Sequence, residues 1–249
     1  MPMSPTFDPT ILATSLMQAK ARVPAATLVA PLTIAEAFAV QAITMADAPA
    51  EPLGYKVARS PEGVAVTGRL LPLHVADDAT FPWRAGVAIE AEIAIRLATA
   101  LPPRAGGYTR DEVKKAVGSV HLGLEVLDSR LVEGSKSPYL LFLADQLGNA
   151  GYLLGPEVPA ALVDDVAGTP LEIRLGDEII FADAAKHPAG DVVAWLVDWA
   201  NREDRPENSL AAGEIITTGS LCGAVPLAKT GLLTIKLGAD HKLTAGFAG

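Results

Sequence analysis

The stretch GVAIEAEIAIRL, residues 86 to 97, sets Glu90 and Glu92 two apart inside a run of alanine, isoleucine and valine. Read as a β-strand, the segment alternates its side chains: Val87, Ile89, Ala91, Ile93 and Ile95 share one face, and Ala88, Glu90, Glu92 and Ala94 the other. The two glutamates then stand about 6.6 Å apart at the backbone. A buried, unpaired carboxylate is costly, and two side by side add their repulsion. Either this face is wet and both carboxylates are solvated, or a positive charge lies between them.

A third carboxylate sits in a second apolar strand, Glu125 in HLGLEVLDSR, flanked by Leu124 and Val126. Three acidic side chains converging from neighbouring strands suit a hard divalent cation with oxygen ligands at about 2.1 Å, magnesium or manganese. Zinc fits poorly, because the histidines (74, 121, 187 and 241) and the single Cys222 lack its ligand spacing. Lys56, in LGYKVA, either carries its amine out to water or faces the carboxylates. There it would bind a substrate carboxylate or move protons with a shifted pKa. Cys222 reads as a small core residue.

Of 249 residues, half are hydrophobic and a fifth charged, as expected for one large domain with a sizeable core. The net charge of -9, with no lysine or arginine cluster, argues against nucleic acid and anionic membranes as partners. No apolar run reaches the roughly 18 residues of a membrane span, and the N-terminus lacks the pattern of a signal peptide. One cysteine excludes an internal disulfide. The expectation is a soluble, cytoplasmic protein.

The first 52 residues read as a helical annex. Asp8 and Pro9 open one helix through TILATSLMQAKA, and Thr33 with Glu36 caps IAEAFAVQAITMA. ADAPAEP is a loop, with the boundary at residues 52 and 53. Strands are expected in LGYKVA, VAIEAEIAIRLA, SVHLGLEVLDSRL, LEIRLGDEIIFA, GEIITTGSL and GLLTIKLG. Helices are expected from Thr109, with Glu112 as capping partner, and through PAGDVVAWLVDWANRE, where Trp195 and Trp199 are packing anchors. The class is α+β, with residues 53 to 249 a β-rich unit continuous with the annex.

In order along the chain, GYKVA, IEAEIA, GLEVLDSR, LADQLGNAGYLLG, HPAGDVVAWL and GEIITTGSLCGAVPL resemble the fumarylacetoacetate hydrolase superfamily. Within it they resemble the branch of 2-keto-4-pentenoate hydratases and 2-oxo-3-hexenedioate (4-oxalocrotonate) decarboxylases. The resemblance implies a mixed, rolled β-structure with flanking helices, assembled as a dimer or larger homo-oligomer. It implies Mg²⁺ or Mn²⁺ on Glu90, Glu92 and Glu125, Lys56 as the active-site lysine, and Asp145 on a segment lining the pocket. Thr218, Gly219 and Ser220 fall in the family's glycine-rich loop near the substrate, a small 2-oxo or 2-hydroxydienoic acid.

Two departures bear on the pocket. Val66 falls where hydratases carry an aspartate, with Glu62 as a candidate replacement, and Gln146, Leu147 and Gly148 stand where an Asn-Ala-Ser is common. The implied activity is metal-dependent hydration of 2-hydroxy-2,4-dienoates in aromatic catabolism, the metal acting as a Lewis acid at C1 and C2. A decarboxylase of a dicarboxylate is the alternative, with Arg59, Arg130 or Lys136 for the distal carboxylate. An acylpyruvate hydrolase needs a His-Glu pair, for which His74 with Asp77 or Asp78 is a poor substitute. The non-enzymatic alternative is a metal-stabilised scaffold or partner subunit.

Overall fold

The structure, a computed structural model, describes residues 6–46, 54–76, 79–206 and 209–249. The expected loop and domain boundary around residues 47–53, and Asp77 and Asp78, lie outside them. The helices are α1 (Pro9–Met17), α2 (Ile34–Thr44), α3 (Arg110–Lys115), α4 (Tyr139–Ala144) and α5 (Ala194–Ala200). The strands are β1 (Gly54–Arg59), β2 (Ala65–Arg69), β3 (Leu73–Val75), β4 (Thr80–Pro82), β5 (Ala88–Leu97), β6 (Val117–Leu127) and β7 (Asn149–Glu157). They continue as β8 (Pro170–Leu175), β9 (Glu178–Ala184), β10 (Ile215–Ser220), β11 (Val225–Pro226), β12 (Gly231–Leu237) and β13 (His241–Ala248). The α+β expectation holds.

The eight-stranded sheet runs β2-β1-β10-β5-β6-β7-β3, with β11 also on β5; the five-stranded sheet runs β4-β13-β12-β8-β9. Both contain parallel and antiparallel neighbours. β5 and β6 form the long central pair, in register from Ala88–Leu127 to Arg96–Ser119. Ile89, Ile93, Ile95, Leu122, Leu124 and Val126 bury one face of this pair in the main core, which also takes Leu233, Ile235 and Leu243 from the smaller sheet. The opposite face carries the glutamates.

Local signals account for the helix starts. Asp8 accepts a hydrogen bond from the Thr10 N–H (2.8 Å) and Pro9 occupies the first helical turn. Thr109 and Glu112 form the expected reciprocal capping box. Thr33 caps α2 through the Glu36 N–H, while Glu36 reaches one residue further back, to the Leu32 N–H. The annex is not a separate body: Leu12, Leu16, Ala37 and Val40 share an apolar cluster with Val66, Leu131, Leu143 and Leu147.

Two expected elements come out differently. Residues 171 to 182 form a hairpin, β8 and β9, because Gly176 (φ +60°) turns the chain. The helix expected from Pro188 begins only at Ala194. Gly190 (φ +75°) closes a turn on the His187 carbonyl and breaks the pattern, and the Asp191 carboxylate then accepts the Val193 N–H just ahead of α5. β2, β3, β4, β7, β11, β13 and α4 were not foreseen.

Gly123, on the glutamate face of β6, makes room for a neighbour: a Cβ there would lie 1.9 Å from the Tyr152 hydroxyl oxygen. Tyr152 is wholly buried, so it cannot move aside cheaply. Gly123→Ala is expected to destabilise the fold by about 1–3 kcal/mol, the usual penalty of overpacking, read as a lower urea midpoint with an unchanged m-value.

Candidate metal centre and active site

Strand alternation and register build the site. Glu90 lies opposite Glu125 and Glu92 opposite Gly123 across β5 and β6. On the other side of β5, β10 brings Thr217 opposite Ala94 and Ser220 opposite Glu92. Lys56 of β1 is in register with Thr217. Side chains from four adjacent strands therefore meet on one face. One carboxylate oxygen from each of Glu90, Glu92 and Glu125 lies within 4.8 Å of the others. Glu92 and Glu125 are buried and Glu90 is half-buried.

The expected positive charge is present in part. Lys56 Nζ donates to both oxygens of Glu125, at 2.7 and 2.8 Å. Burial alone would depress the lysine pKa, but Glu125, Glu90 and Glu92 outweigh it and raise it. Lys56 is therefore an ammonium at neutral pH, a donor and not a base. Asn149 Nδ2 donates to Glu125 Oε1 (2.9 Å), and Thr217 Oγ1 to Glu92 Oε2 (2.5 Å). The Tyr152 phenol, beside Glu92, Glu125 and Thr217, is pushed far above its ordinary pKa by burial and then by Glu92, so it stays neutral.

Three carboxylates and one ammonium leave two negative charges uncompensated. Burial, and then neighbouring carboxylates, raise the pKa of Glu92 well above the ordinary carboxylate range; burial also raises Glu90, against the pull of Lys56. A dication is the ion that balances this set. Carboxylate lone pairs not used by Lys56, Asn149 and Thr217 remain on Glu92 and Glu125 to bind it. Oxygen spacings up to 4.8 Å admit one cation with bonds of about 2.1–2.4 Å. The residues fit a hard divalent metal.

The glycine-rich loop reaches this face through a bulge: the pairing of β10 with β5 shifts by one residue between Thr217 and Ser220. Thr218 turns away. Its buried hydroxyl donates to the Val192 carbonyl and therefore accepts from His187 Nε2, 3.2 Å away, while His187 Nδ1 accepts the Ala189 N–H. Burial lowers the His187 pKa and keeps it neutral. Gly219 (φ +140°) lies against Pro188, where a Cβ would meet the ring at 2.8 Å. The Ser220 hydroxyl is taken up within its own turn, donating to the Gly223 carbonyl and accepting the Cys222 N–H. Cys222 is half-buried beside it, its thiol pKa raised by burial.

The other sequence candidates lie apart from the carboxylates. Asp145 is buried and accepts from Ser129 Oγ, the Arg130 N–H and Arg130 Nη1, so it fixes the bend that follows β6. Gln146 (φ +56°) accepts the Arg69 N–H and lines a cavity of about 250 Å³ with Tyr55, Phe38 and Trp199. Tyr55 points to the opposite side of β1 from Lys56, and none of the glutamates lines that cavity. Arg59 pairs with Asp198 on the surface. Glu62 is exposed in the β1–β2 turn, near Tyr139, whose pKa burial and then the Glu62 charge push up to about 12. Val66 is buried among annex side chains. His74 packs edge-on against Phe81 and shares register with Leu153, on the face away from Tyr152.

Thr217, Asn149 and Tyr152 are site residues that pattern reading missed. Only the alternation within IITTGS placed Thr217 one residue from the loop residues already singled out. A cleft of about 310 Å³ is lined by Ala88, Leu127, Phe142 and Leu147 with Arg22, Glu133 and Lys136; Glu90, Glu92 and Glu125 do not line it, and it meets their face only through Ala88 and Leu127. Ala88 and Leu127 are the register pair next to Glu90 and Glu125 on the same face.

Comparison with known proteins agrees with this geometry. Residues 40–244 match the family described as fumarylacetoacetate (FAA) hydrolase C-terminal. The chain is 29% identical over 147 residues to 2-keto-4-pentenoate hydratase 1 of Dechloromonas aromatica (strain RCB), a match covering 57% of this chain and 53% of that protein. The chain thus spans about half the length of this curated relative. In fold it is similar to 4-oxalocrotonate decarboxylase from Pseudomonas putida G7 complexed with magnesium and adipate, with a TM-score of 0.75 at 20% identity over 98% of this chain and 100% of that one. The same decarboxylase complexed with calcium and acetate gives 0.73, also at 20% identity, with the same coverage. 2-Hydroxyhepta-2,4-diene-1,7-dioate isomerase from Mycobacterium marinum gives 0.54 at 16% identity over 79% of this chain and 74% of that one.

Glu92→Gln is expected to weaken Mg²⁺ binding by more than the roughly 10–100-fold that substitutions around a metal's ligands commonly cost, measured by calorimetry. Protons and metal compete for the same oxygens, and the raised pKa of Glu92 and Glu90 carries this competition above the ordinary carboxylate range. Metal-free, the folded chain holds these protons more tightly than the unfolded one, so their contribution to stability falls as pH rises from the ordinary carboxylate pKa through the raised values. The gain in melting temperature on adding Mg²⁺ should therefore grow as pH is raised above the ordinary carboxylate range.

Proposed function

The chain belongs to the fumarylacetoacetate hydrolase family, and from that premise we propose that it is a divalent-metal-dependent lyase of 2-oxo acids, adding water to a 2-hydroxy-2,4-dienoate. The observation that carries this reading is the set of three carboxylates, two buried and one half-buried, beside one ammonium, two charges short of neutral. Mg²⁺ and Ca²⁺ in the solved decarboxylase support a hard, oxygen-preferring cation, with Mn²⁺ chemically equivalent. Bound by Glu90, Glu92 and Glu125, the cation supplies Lewis acidity toward the C1 carboxylate and C2 oxygen of the substrate.

The chain's own groups do the rest. Lys56 has three donors, two of them on Glu125, which leaves one for an anionic substrate or a proton to deliver. Asn149 and Lys56 hold Glu125, and Thr217 holds Glu92, so the carboxylates are oriented before a ligand arrives. The apolar walls of the cleft lower the dielectric around charge that develops during reaction. Work in the cytoplasm on products of aromatic breakdown, as a homo-oligomer, accords with this reading.

A decarboxylase is the second reading, favoured by likeness of fold over nearly the whole chain to such an enzyme. A hydrolase has less support. His74 is turned away from the carboxylates, and among the described residues no histidine–carboxylate pair lies beside them.

The test is the ultraviolet decay of 2-hydroxypenta-2,4-dienoate and of 2-oxo-3-hexenedioate with Mg²⁺, Mn²⁺ or EDTA, with products identified by NMR. Metal-dependent formation of 4-hydroxy-2-oxopentanoate establishes the hydratase, and release of CO₂ from the dicarboxylate the decarboxylase. Turnover of neither, in protein that binds the metal, sinks both. Lys56→Ala should retain Mg²⁺ binding and lose about 10²–10⁴-fold in kcat/KM, the usual worth of a positioned proton donor.

A further inference from the structure

We propose that the Tyr152 hydroxyl is a positioning donor for Glu92, taking up its hydrogen bond to that carboxylate as the cation binds, so that it serves metal affinity and not folding. This rests on the metal-centred reading above. Lys56, Asn149 and Thr217, the other donors around the carboxylates, are already bonded to carboxylate oxygens. The Tyr152 hydroxyl lies beside Glu92, Glu125 and Thr217 and completes a hydrogen bond with none of them. The side chain is wholly buried. A donor shut away from water without a partner works against folding, and phenylalanine would fill the same space without one.

Backbone pairing fixes where the ring stands. Tyr152 is in register with Glu125 on one side and Leu73 on the other, and its N–H donates to the Pro72 carbonyl at 2.8 Å. The ring leans over β6 at Gly123, where a Cβ would meet the hydroxyl oxygen at 1.9 Å. Glycine inside a strand weakens it and often marks a close approach; here the tip of the phenol is what approaches. Around the ring, Leu70, Ala94, Leu154 and Ile215 are buried with it. These side chains offer no acceptor, so the hydroxyl is left with the polar groups of the site.

Among those groups Glu92 has the most capacity left. Both Glu125 oxygens already accept bonds, Oε1 from Lys56 and Asn149 and Oε2 from Lys56. Thr217 gives its proton to Glu92 Oε2, the one bond that Glu92 accepts from a side chain among the described residues. Burial, and then the charge of Glu92, keep the phenol neutral, so it has a proton to donate. Gly123 stands opposite Glu92 across β5 and β6, so a phenol lying over Gly123 approaches Glu92 from the β6 side. Thr217 approaches from the other flank, on β10. Donors on both flanks fix the rotation of the carboxylate, and with it the oxygen turned to the metal.

The same hydroxyl therefore acts in opposite directions on two measurable quantities. It lowers the stability of the metal-free fold, as an unpaired buried donor does. It raises affinity for the cation, as a donor to a ligating carboxylate does. An ordinary structural hydrogen bond would raise the first and leave the second alone.

The test compares Tyr152→Phe with the unaltered protein, by urea unfolding in EDTA and by calorimetry with Mg²⁺. The expected result is an equal or higher urea midpoint in EDTA together with an Mg²⁺ Kd raised about 10–100-fold. An unchanged Kd overturns the proposal and leaves the metal-centred reading standing. A lower midpoint in EDTA overturns it too, whatever the Kd, because the hydroxyl is then already bonded in the metal-free fold. A variant that fails to fold counts with this second outcome. A further measurement uses the unaltered protein labelled with ¹³C at tyrosine Cζ. Mg²⁺ should move the resonance that is missing from the spectrum of Tyr152→Phe, as its hydroxyl takes up a carboxylate oxygen; a resonance that stays in place overturns the proposal. If the unaltered protein binds no Mg²⁺, the metal-centred reading fails and takes this one with it.

Discussion

The bond from Lys56 to Glu125 is the contact around which the site is organised. It joins an inner strand, β1, to the central pair of the larger sheet across β10, and fixes one of three carboxylates that would otherwise repel one another. A single ammonium cannot neutralise three buried acids. Burial, and then the remaining charge, makes Glu90 and Glu92 hold protons more readily than ordinary carboxylates, and Thr217 and Asn149 donate to carboxylate oxygens. Buried ionic groups of this kind seldom add stability. A chain retains them when a ligand completes the set.

The fold serves that arrangement through its two-sided sheet. One face of β5 and β6 is continuous hydrophobic core against the smaller sheet; the other is polar at its centre and closed by apolar residues around it. Both faces are covered, which a run such as VAIEAEIAI requires and a one-sided sheet would not. The annex completes the enclosure. Its helices pack on α4 and β2, and the segment that follows α1 carries Arg22 to the cleft.

Much of this was legible in the sequence, and for identifiable reasons. Period-two alternation gave the shared face of Glu90 and Glu92, because strand geometry leaves little freedom in where such residues point. Glu125 stood out by its apolar neighbours, while Lys56 was open between water and the carboxylates until the pairing of β1 with β10 placed it. Asp8, Thr109 and Glu112 announced helix starts through local hydrogen bonds. Residues whose positions depend on remote packing were illegible: Arg22 is placed by pairing with residues 130 to 132, and Asn149 and Tyr152 by the register of a strand not expected from the sequence. Asp145 was seen as a pocket residue, yet its carboxylate is engaged by Ser129 and Arg130, contacts that no spacing rule anticipates. The delayed start of α5 follows from Gly190 and Asp191, two turn formers inside a helical pattern.

The bulge at Thr218 and Gly219 makes this segment sensitive to its length. Because one extra residue sits between Thr217 and Ser220, both can belong to the same face of β10, although an unbroken strand would send them to opposite sides. Within the loop, Gly219 is fixed by its φ of +140° and its approach to Pro188, and Thr218 by its buried hydrogen bonds. Loss or gain of a single residue would invert everything downstream of it in the strand. GEIITTGSLCG is therefore a segment whose length matters as much as its side chains, since the count of residues decides which of them face Glu92.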